Sequence, residues 1–343
     1  MRKHKVIFLV KSAKTPSSRI RVSELMPYLY EKNISAEVEI IPDSYRNRHI
    51  LFKKCEQFDL VVLQKRLLAW FEFCELRKKS ASLAFDFDDA VYLKNQSPSL
   101  KSDEYKSNTR HRRFKRIVKA SELLIAANPV LADFATQYTQ ASRVHIIPSG
   151  IDLSRVTMHD PLNFNTKPII GWVGTSVTQC YLHDLAPALI KLKNKTPFTL
   201  RIISNIDFHH DELDIENIRW NKDTEYKEIA KFDIGIMPLT SDPFSEGKAS
   251  YKLLQYLASG VPSVASEVGM NKFVCDNNNN ALSAKTYDDF ISNLETLINN
   301  KSLRQKLSSN GKKLIKEKYS TKVVGEKLAT VISDFFKNSS ASQ

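Results

Sequence analysis

The amino-acid sequence predicts an α/β protein of two domains, each built around a parallel sheet. Three observations carry this. Short apolar runs alternate with helical segments along most of the 343 residues, the pattern of strands joined by crossover helices. All nine glycines stand at or after Gly150, so any close approach of backbone to a ligand falls in the second half. Residues 247–271, GKASYKLLQYLASGVPSVASEVGMN, read as loop, helix, glycine stop, short buried strand and second glycine turn. That grammar is half of a doubly wound unit.

In the first half, the aliphatic runs at 6–10, 36–41, 60–64, 83–86, 123–126 and 144–147 are expected as strands. Between them, 21–32, 67–79, 110–120 and 130–138 are expected as helices, the third strongly basic. A turn at Pro148-Ser149-Gly150 closes this half, and a polar stretch at 160–167 precedes the next strand. Strands are expected at 169–173, 199–203, 234–238 and 261–266. A helix with Leu253, Leu254, Leu257 and Ala258 on its apolar face should end at Gly260. Two amphipathic helices, 301–319 and 321–337, close the chain. The only low-complexity tracts are the asparagines at 277–280 and the polar tail after Lys337.

With 42% hydrophobic and 26% charged residues, there is material for two cores. No apolar run approaches the ~20 residues of a membrane helix. The start, MRKHKVIFLVKS, is basic, but its apolar run is too short for a signal peptide. Cys55, Cys74, Cys180 and Cys275 are scattered without metal-ligand spacing, which fits thiols in a reducing cytoplasm. The net charge of +13 is uneven: residues 1–160 hold 28 Lys and Arg against 18 Asp and Glu. Such a basic half suits a phosphorylated acceptor, an anionic membrane surface or nucleic acid. Solvated lysines kept for solubility would also account for it. Nucleic acid is the least favoured, since no stacking aromatics interleave the cations.

The first half lacks glycine altogether before position 150, so no G-x-G-x-x-G loop follows its first strand. This argues against an N-terminal dinucleotide site and places phosphate contacts at Gly171, Gly174 or Gly247. Lys248 and Lys252 lie one turn apart where a helix opens, so both can face one anion beside free backbone N–H groups. Ser17-Ser18-Arg19-Ile20-Arg21 follows the first strand, a place that faces the cleft in doubly wound folds. Arg19 and Arg21 therefore either contact substrate phosphate or form surface or interdomain ion pairs. Asp86-Phe87-Asp88-Asp89 after a buried strand lines an acceptor cleft, caps a helix, or forms the Mg²⁺-binding D-x-D of a phosphatase.

Several motifs now fall in one order: FDFDDA at 85–90, NPVL at 128–131, IPSGID at 147–152, GWVG at 171–174, FDIGIMPL at 232–239 and the 247–271 stretch. This series resembles the group 1 glycosyltransferases. The resemblance implies the GT-B fold, two Rossmann-like domains with parallel sheets facing across a cleft. It implies an acceptor-side domain at 1–163, a nucleotide-sugar-binding domain at 164–320, and a helix at 321–337 crossing back to the N-terminal domain. It also implies transfer of a sugar from a nucleoside diphosphate donor with retention of configuration. No metal or further cofactor is normally required, because helix termini and cationic side chains hold the diphosphate.

By this resemblance, donor contacts fall on Gly174, Thr175, Ser176 and Thr178, then on Gly247, Lys248, Ser250, Tyr251, Lys252 and Gln255. Glu246, Asp88 and Asp89 take the catalytic positions. The family's paired glutamates are altered: the second falls on Gln255, and the first on Gly247, with Glu246 one residue away. Its phosphate-binding Arg and Lys fall on Thr175 and Cys180, leaving Lys248, Lys252 and nearby hydroxyls as substitutes. These losses keep a non-catalytic GT-B-like subunit open as an alternative. The basic helix carries Arg112, Arg113 and Arg116, which either form a solvated face or meet an anionic membrane where a lipid-linked saccharide is extended for surface polysaccharide or lipopolysaccharide. A cytoplasmic enzyme, peripheral at the inner membrane face, is the expected setting.

Overall fold

Six strands in the first half pair side by side; the central ones, such as LVVLQ at 60–64 and LAFDF at 83–87, are buried on both faces and must be covered by helices on both. A computed structural model describes residues 3–12, 15–94, 105–161, 163–276 and 278–341. Residue 277 of the asparagine run and the last two residues of the tail lie outside the described residues.

The strands of the first half are β1 (His4–Val10), β2 (Ile34–Ile40), β3 (Leu60–Gln64), β4 (Leu83–Phe87), β5 (Leu123–Ala126) and β6 (Val144–Ile146). They form one parallel sheet in the order β2-β1-β3-β4-β5-β6, with Val6 opposite both Ala36 and Leu60. The helices are α1 (Pro16–Arg21), α2 (Met26–Glu31), α3 (Tyr45–Lys54), α4 (Trp70–Lys79), α5 (Asn108–Ala120) and α6 (Pro129–Thr136). In the second half, β7 (Ile169–Val173), β8 (Thr199–Ser204), β9 (Ile215–Arg219), β10 (Ile234–Met237), β11 (Ser263–Ser266) and β12 (Leu282–Ala284) form the second parallel sheet. Its order is β12-β11-β10-β7-β8-β9. The helices here are α7 (Cys180–Lys193), α8 (Glu225–Ile229), α9 (Tyr251–Ser259), α10 (Asn271–Val274), α11 (Tyr287–Asn299), α12 (Lys301–Leu314) and α13 (Thr321–Ala341).

Strand order reverses between β1 and β3 in one sheet and between β7 and β10 in the other. Crevices open at the carboxyl ends of such strands, and ligands of doubly wound sheets bind there.

Several elements differ from expectation. The single helix at 21–32 is two, α1 and α2, joined by a 3-10 turn at Ser23–Leu25. Val22 leaves helical geometry at φ −123°, and Pro27 opens the next helix. Helix α3 was not foreseen because only Leu51 and Phe52 of its ten residues are buried. Edge strand β9, IENIR, escaped for the same reason, since none of its side chains is fully buried. Strand β12 has only three residues.

The closing helix α13 lies on the first sheet, where Val324, Leu328, Ile332 and Phe336 join Val6, Phe8, Val22 and Leu29 in one core. The chain thus crosses between halves twice. The two crossings pair, with Ile151 N–H donating to Tyr319 O at 2.8 Å and Thr321 N–H to Ile151 O at 2.9 Å. Close approach of α13 needs glycine at one point: a Cβ on Gly325 would stand 2.1 Å from the Tyr28 ring. Gly325→Ala is therefore expected to destabilise the protein by about 1–3 kcal/mol through overpacking. Urea unfolding checks this, and adding Tyr28→Ala should recover part of the loss. An unchanged midpoint in the single variant would show that α13 is not seated on α2.

Candidate functional site

The loop after β10 is built by one carboxylate. Asp242 Oδ1 accepts the Phe244 and Ser245 N–H groups, each at 2.9 Å, while Oδ2 accepts the Thr240 and Ser245 hydroxyls at 2.6 Å. The folded loop reaches the first half. Phe244 and Ala249 pack on the N-terminal core, and the Asn128 amide donates to Gly247 O at 3.1 Å and Lys248 O at 3.2 Å. Gly247 is required because a Cβ there would stand 2.8 Å from Ala90. Ser250 then takes a left-handed conformation at φ 55°, costly for a residue with a Cβ, and α9 begins. Its hydroxyl is buried with no hydrogen-bond partner.

A cavity of about 300 Å³ lies where this loop, the carboxyl ends of β7 and β10, and the first half meet. Lys248, Ser250, Tyr251 and Lys252 line it from the loop and α9, and Thr175 and Thr178 from the turn after β7. The half-buried Lys252 lays its ammonium 4.4 Å from the centre of the Trp172 ring and donates to Thr178 Oγ1 at 3.1 Å. Gly174 makes room for it: a Cβ there would meet the Trp172 ring at 2.0 Å and Lys252 Nζ at 2.8 Å. Burial, then the neighbouring Lys248 charge, push the Lys252 pKa down to about 7. Lys248 Nζ sits 4.9 Å from the Phe244 ring centre. Among the described residues neither ammonium has a carboxylate partner. This wall of the cavity carries positive charge and unspent donors.

The opposite wall belongs to the first half. Asp88, Asp89 and Ser17 face the same cavity. Lys65, held at φ 57°, pairs with Asp88 at 2.9 Å and with Asp89. Burial works against the Asp88 carboxylate, but Lys65 and Arg21 hold its pKa below the ordinary range, so it is ionised near neutrality. Behind it, Arg21 grips Asp86 at 2.5 Å and donates to Ile147 O at 2.9 Å, all of it buried.

The structure gathers Gly174, Thr175, Thr178, Lys248, Ser250, Tyr251, Lys252, Asp88 and Asp89 around one cavity. It corrects others. Glu246 is turned away, accepting from Gly269 N–H at 2.9 Å and pairing with Lys272 at 3.0 Å, because the 3-10 turn Ser245–Gly247 points it outward. Arg21 is the core partner of Asp86 rather than a substrate contact. Arg19 pairs with Glu24 at 2.6 Å. Ser176 stays exposed, its N–H bonded to Asn205. Gln255 is buried beneath the loop, and its Nε2 lacks a hydrogen-bond partner.

The expected membrane-facing trio does not share one free face. Arg113 donates to Leu67 O and Arg116 to Leu68 O, and Arg116 also stacks on Phe73, leaving Arg112 outermost. Sequence reading missed Lys65, whose one signal was its place directly after β3 at the switch point.

Residues 167–300 match the family described as Glycosyl transferases group 1. Over that stretch the chain is similar to this family. The chain is also similar to solved structures along nearly its whole length. It is 14% identical to HepE from Anabaena, solved with UDP and glucose, covering 96% of this chain and 100% of that one with TM-score 0.72. It is 12% identical to sucrose-phosphate synthase from Thermosynechococcus elongatus (98% and 100% covered, TM-score 0.74). It is also 12% identical to the lipopolysaccharide outer core galactosyltransferase WaaB (96% and 99% covered, TM-score 0.64). At such identities these likenesses establish the fold, which is GT-B. A comparison with curated protein sequences gives no match. Among the described residues, no helix is long and apolar enough to cross a membrane.

The lowered pKa of Lys252 makes a signed prediction. An unfolded chain protonates this lysine near its ordinary 10.5, the folded chain only near 7, so between these values the unfolded state binds more protons. Stability from this group therefore rises with pH across that window, and the penalty is full below it. Lys252→Met should raise the melting temperature of the ligand-free protein, by more at about pH 6.5 than at about pH 9.5. An equal gain at both would show that Lys252 is not charged and desolvated in this site.

Proposed function

We propose that the protein transfers a sugar from a nucleoside diphosphate donor to a saccharide or lipid-linked saccharide acceptor, in surface polysaccharide or lipopolysaccharide synthesis. The observation that carries this reading is the cavity at the β7–β10 switch point, with two lysines that pair with no carboxylate among the described residues. A diphosphate supplies the missing charge, drawing hydrogen bonds from Lys248, Lys252 and Thr178 and the unpartnered Ser250 hydroxyl. Its binding raises the Lys252 pKa and draws in a proton. HepE, a neighbour in fold, is solved with UDP and glucose, and WaaB is a galactosyltransferase of lipopolysaccharide. Both support the reading.

In the proposed reaction the bond from the anomeric carbon to the diphosphate oxygen breaks, and the charge left on that oxygen is met by the lysines. The acceptor hydroxyl attacks from the same face, giving retention, and its proton passes to the leaving phosphate. Asp88, ionised across the cavity, stabilises the positive charge on the sugar ring. No metal takes part in this scheme. A phosphatase centred on Asp86 finds no support, because that carboxylate is buried against Arg21 and Gln64 and cannot attack a substrate. A non-catalytic role keeps one observation in its favour, the diversion of Glu246 into a structural bond with Gly269.

Transfer and donor hydrolysis, measured with a panel of nucleotide sugars, decide between these two. Lys252→Ala should weaken nucleoside diphosphate binding by roughly 10- to 100-fold, the loss of a charge-assisted bond, while nucleoside binding stays nearly unchanged. Calorimetry on both ligands checks this, and equal losses for both would remove the diphosphate from this cavity.

A further inference from the structure

A second, larger hollow of about 600 Å³ opens beside the donor cavity, over the carboxyl ends of β1 and β3. This is the switch point of the N-terminal sheet. Among the described residues, six cationic side chains face it against two carboxylates. Arg48 is paired with Glu72, and Lys65 with Asp88 and Asp89. The other four cations have no carboxylate partner among the described residues. Arg110 donates to Val91 O at 3.1 Å and Arg113 to Leu67 O at 3.2 Å, which fixes both guanidinium groups without cancelling their charge. Lys11 and Arg66 make no ion pair with a described residue. Four uncompensated positive charges around one concavity repel each other and focus the field inside it. The fold keeps them together at a place where doubly wound sheets bind ligands, so they are best explained by an anion that arrives with a substrate.

We propose that this hollow binds a phosphate group carried by the acceptor. The proposal rests on the transfer reading and adds a substrate class to it. Arginine forks match phosphate oxygens in pairs, and fixed guanidinium groups lose little freedom on binding. Ser17 and Asp89 line both hollows, so an acceptor anchored by its phosphate over β1 and β3 extends its hydroxyl toward the donor sugar. Trp70 and Phe71, 68% and 53% exposed, stand between the lining residues Leu67 and Glu72. Exposed aromatic side chains in a segment that lines the hollow suit a membrane interface, so the phosphate can belong to a lipid as well as to a soluble sugar.

The test uses Arg66→Ala/Arg113→Ala and Lys252→Ala proteins beside wild type. Calorimetry follows glucose 6-phosphate and glucose, and sedimentation follows vesicles of phosphatidylglycerol or phosphatidylcholine. Glucose 6-phosphate should bind where glucose does not, with affinity falling roughly 10- to 100-fold in the arginine variant and by less than about twofold in Lys252→Ala. If the phosphate is lipid-borne, the same pattern appears with phosphatidylglycerol vesicles and is absent with phosphatidylcholine. Whichever of UDP, GDP and ADP stabilises wild type should show the reverse dependence, and its retained binding shows that the arginine variant is folded. Phosphate binding lost in Lys252→Ala but kept in the arginine variant overturns the proposal, as does absence of binding in both arms. Intact phosphate binding without any nucleotide binding would strike the donor reading alone.

Discussion

The docking of the 242–250 loop onto the N-terminal half is the constraint on which the rest of the site depends. Asp242 spends both oxygens on folding that loop, and the folded loop carries Gly247 against Ala90 and two carbonyls onto the Asn128 amide. Without it, Lys248 and Ser250 would have no fixed position, and the donor cavity would lack its N-terminal wall. The left-handed Ser250 and its buried, unbonded hydroxyl are where the loop stores the cost of this placement.

Charge is arranged on each side of that contact in opposite ways. On the N-terminal wall of the smaller cavity, carboxylates and cations satisfy each other: Arg21 with Asp86, Lys65 with Asp88 and Asp89. Truncating one member of a buried pair such as Arg21–Asp86 typically costs about 3–5 kcal/mol, so this wall is stiff. On the C-terminal side, Lys252 is left with a ring face and one hydroxyl, and its proton is held weakly. A group left that unstable in the free protein gains the most when an anion arrives. Rigid, satisfied carboxylates facing unsatisfied ammonium groups across one cavity suit a reaction that separates a cationic sugar from an anionic leaving group.

The fold was largely legible because strands buried on both faces announce themselves as aliphatic runs, and because Gly260 and Gly269 both sit at positive φ where the sequence placed turns. Edge strand β9 and helix α3 were not, since half-exposed elements carry mixed residues and no clear period. That Lys248 and Lys252 face one cavity was readable from their spacing at a helix start. What the sequence could not reveal was the direction of side chains around a strained loop. One 3-10 turn sends Glu246 to Gly269, and one buried pair withdraws Arg21. The basic helix illustrates the same limit: its run of arginines does not show that Leu67 and Leu68 carbonyls claim two of them.

Two anion sites one cavity apart, the inner for a leaving diphosphate and the outer for an acceptor phosphate, form the centre of this account. A crystal structure with a bound nucleoside diphosphate tests it most directly. The account predicts phosphate oxygens within hydrogen-bond distance of Lys252 Nζ and Thr178 Oγ1, with Ser250 Oγ engaged and the outer hollow free of nucleotide. A diphosphate seated instead among Lys11, Arg66 and Arg113, with Lys252 unchanged on Trp172, would contradict it.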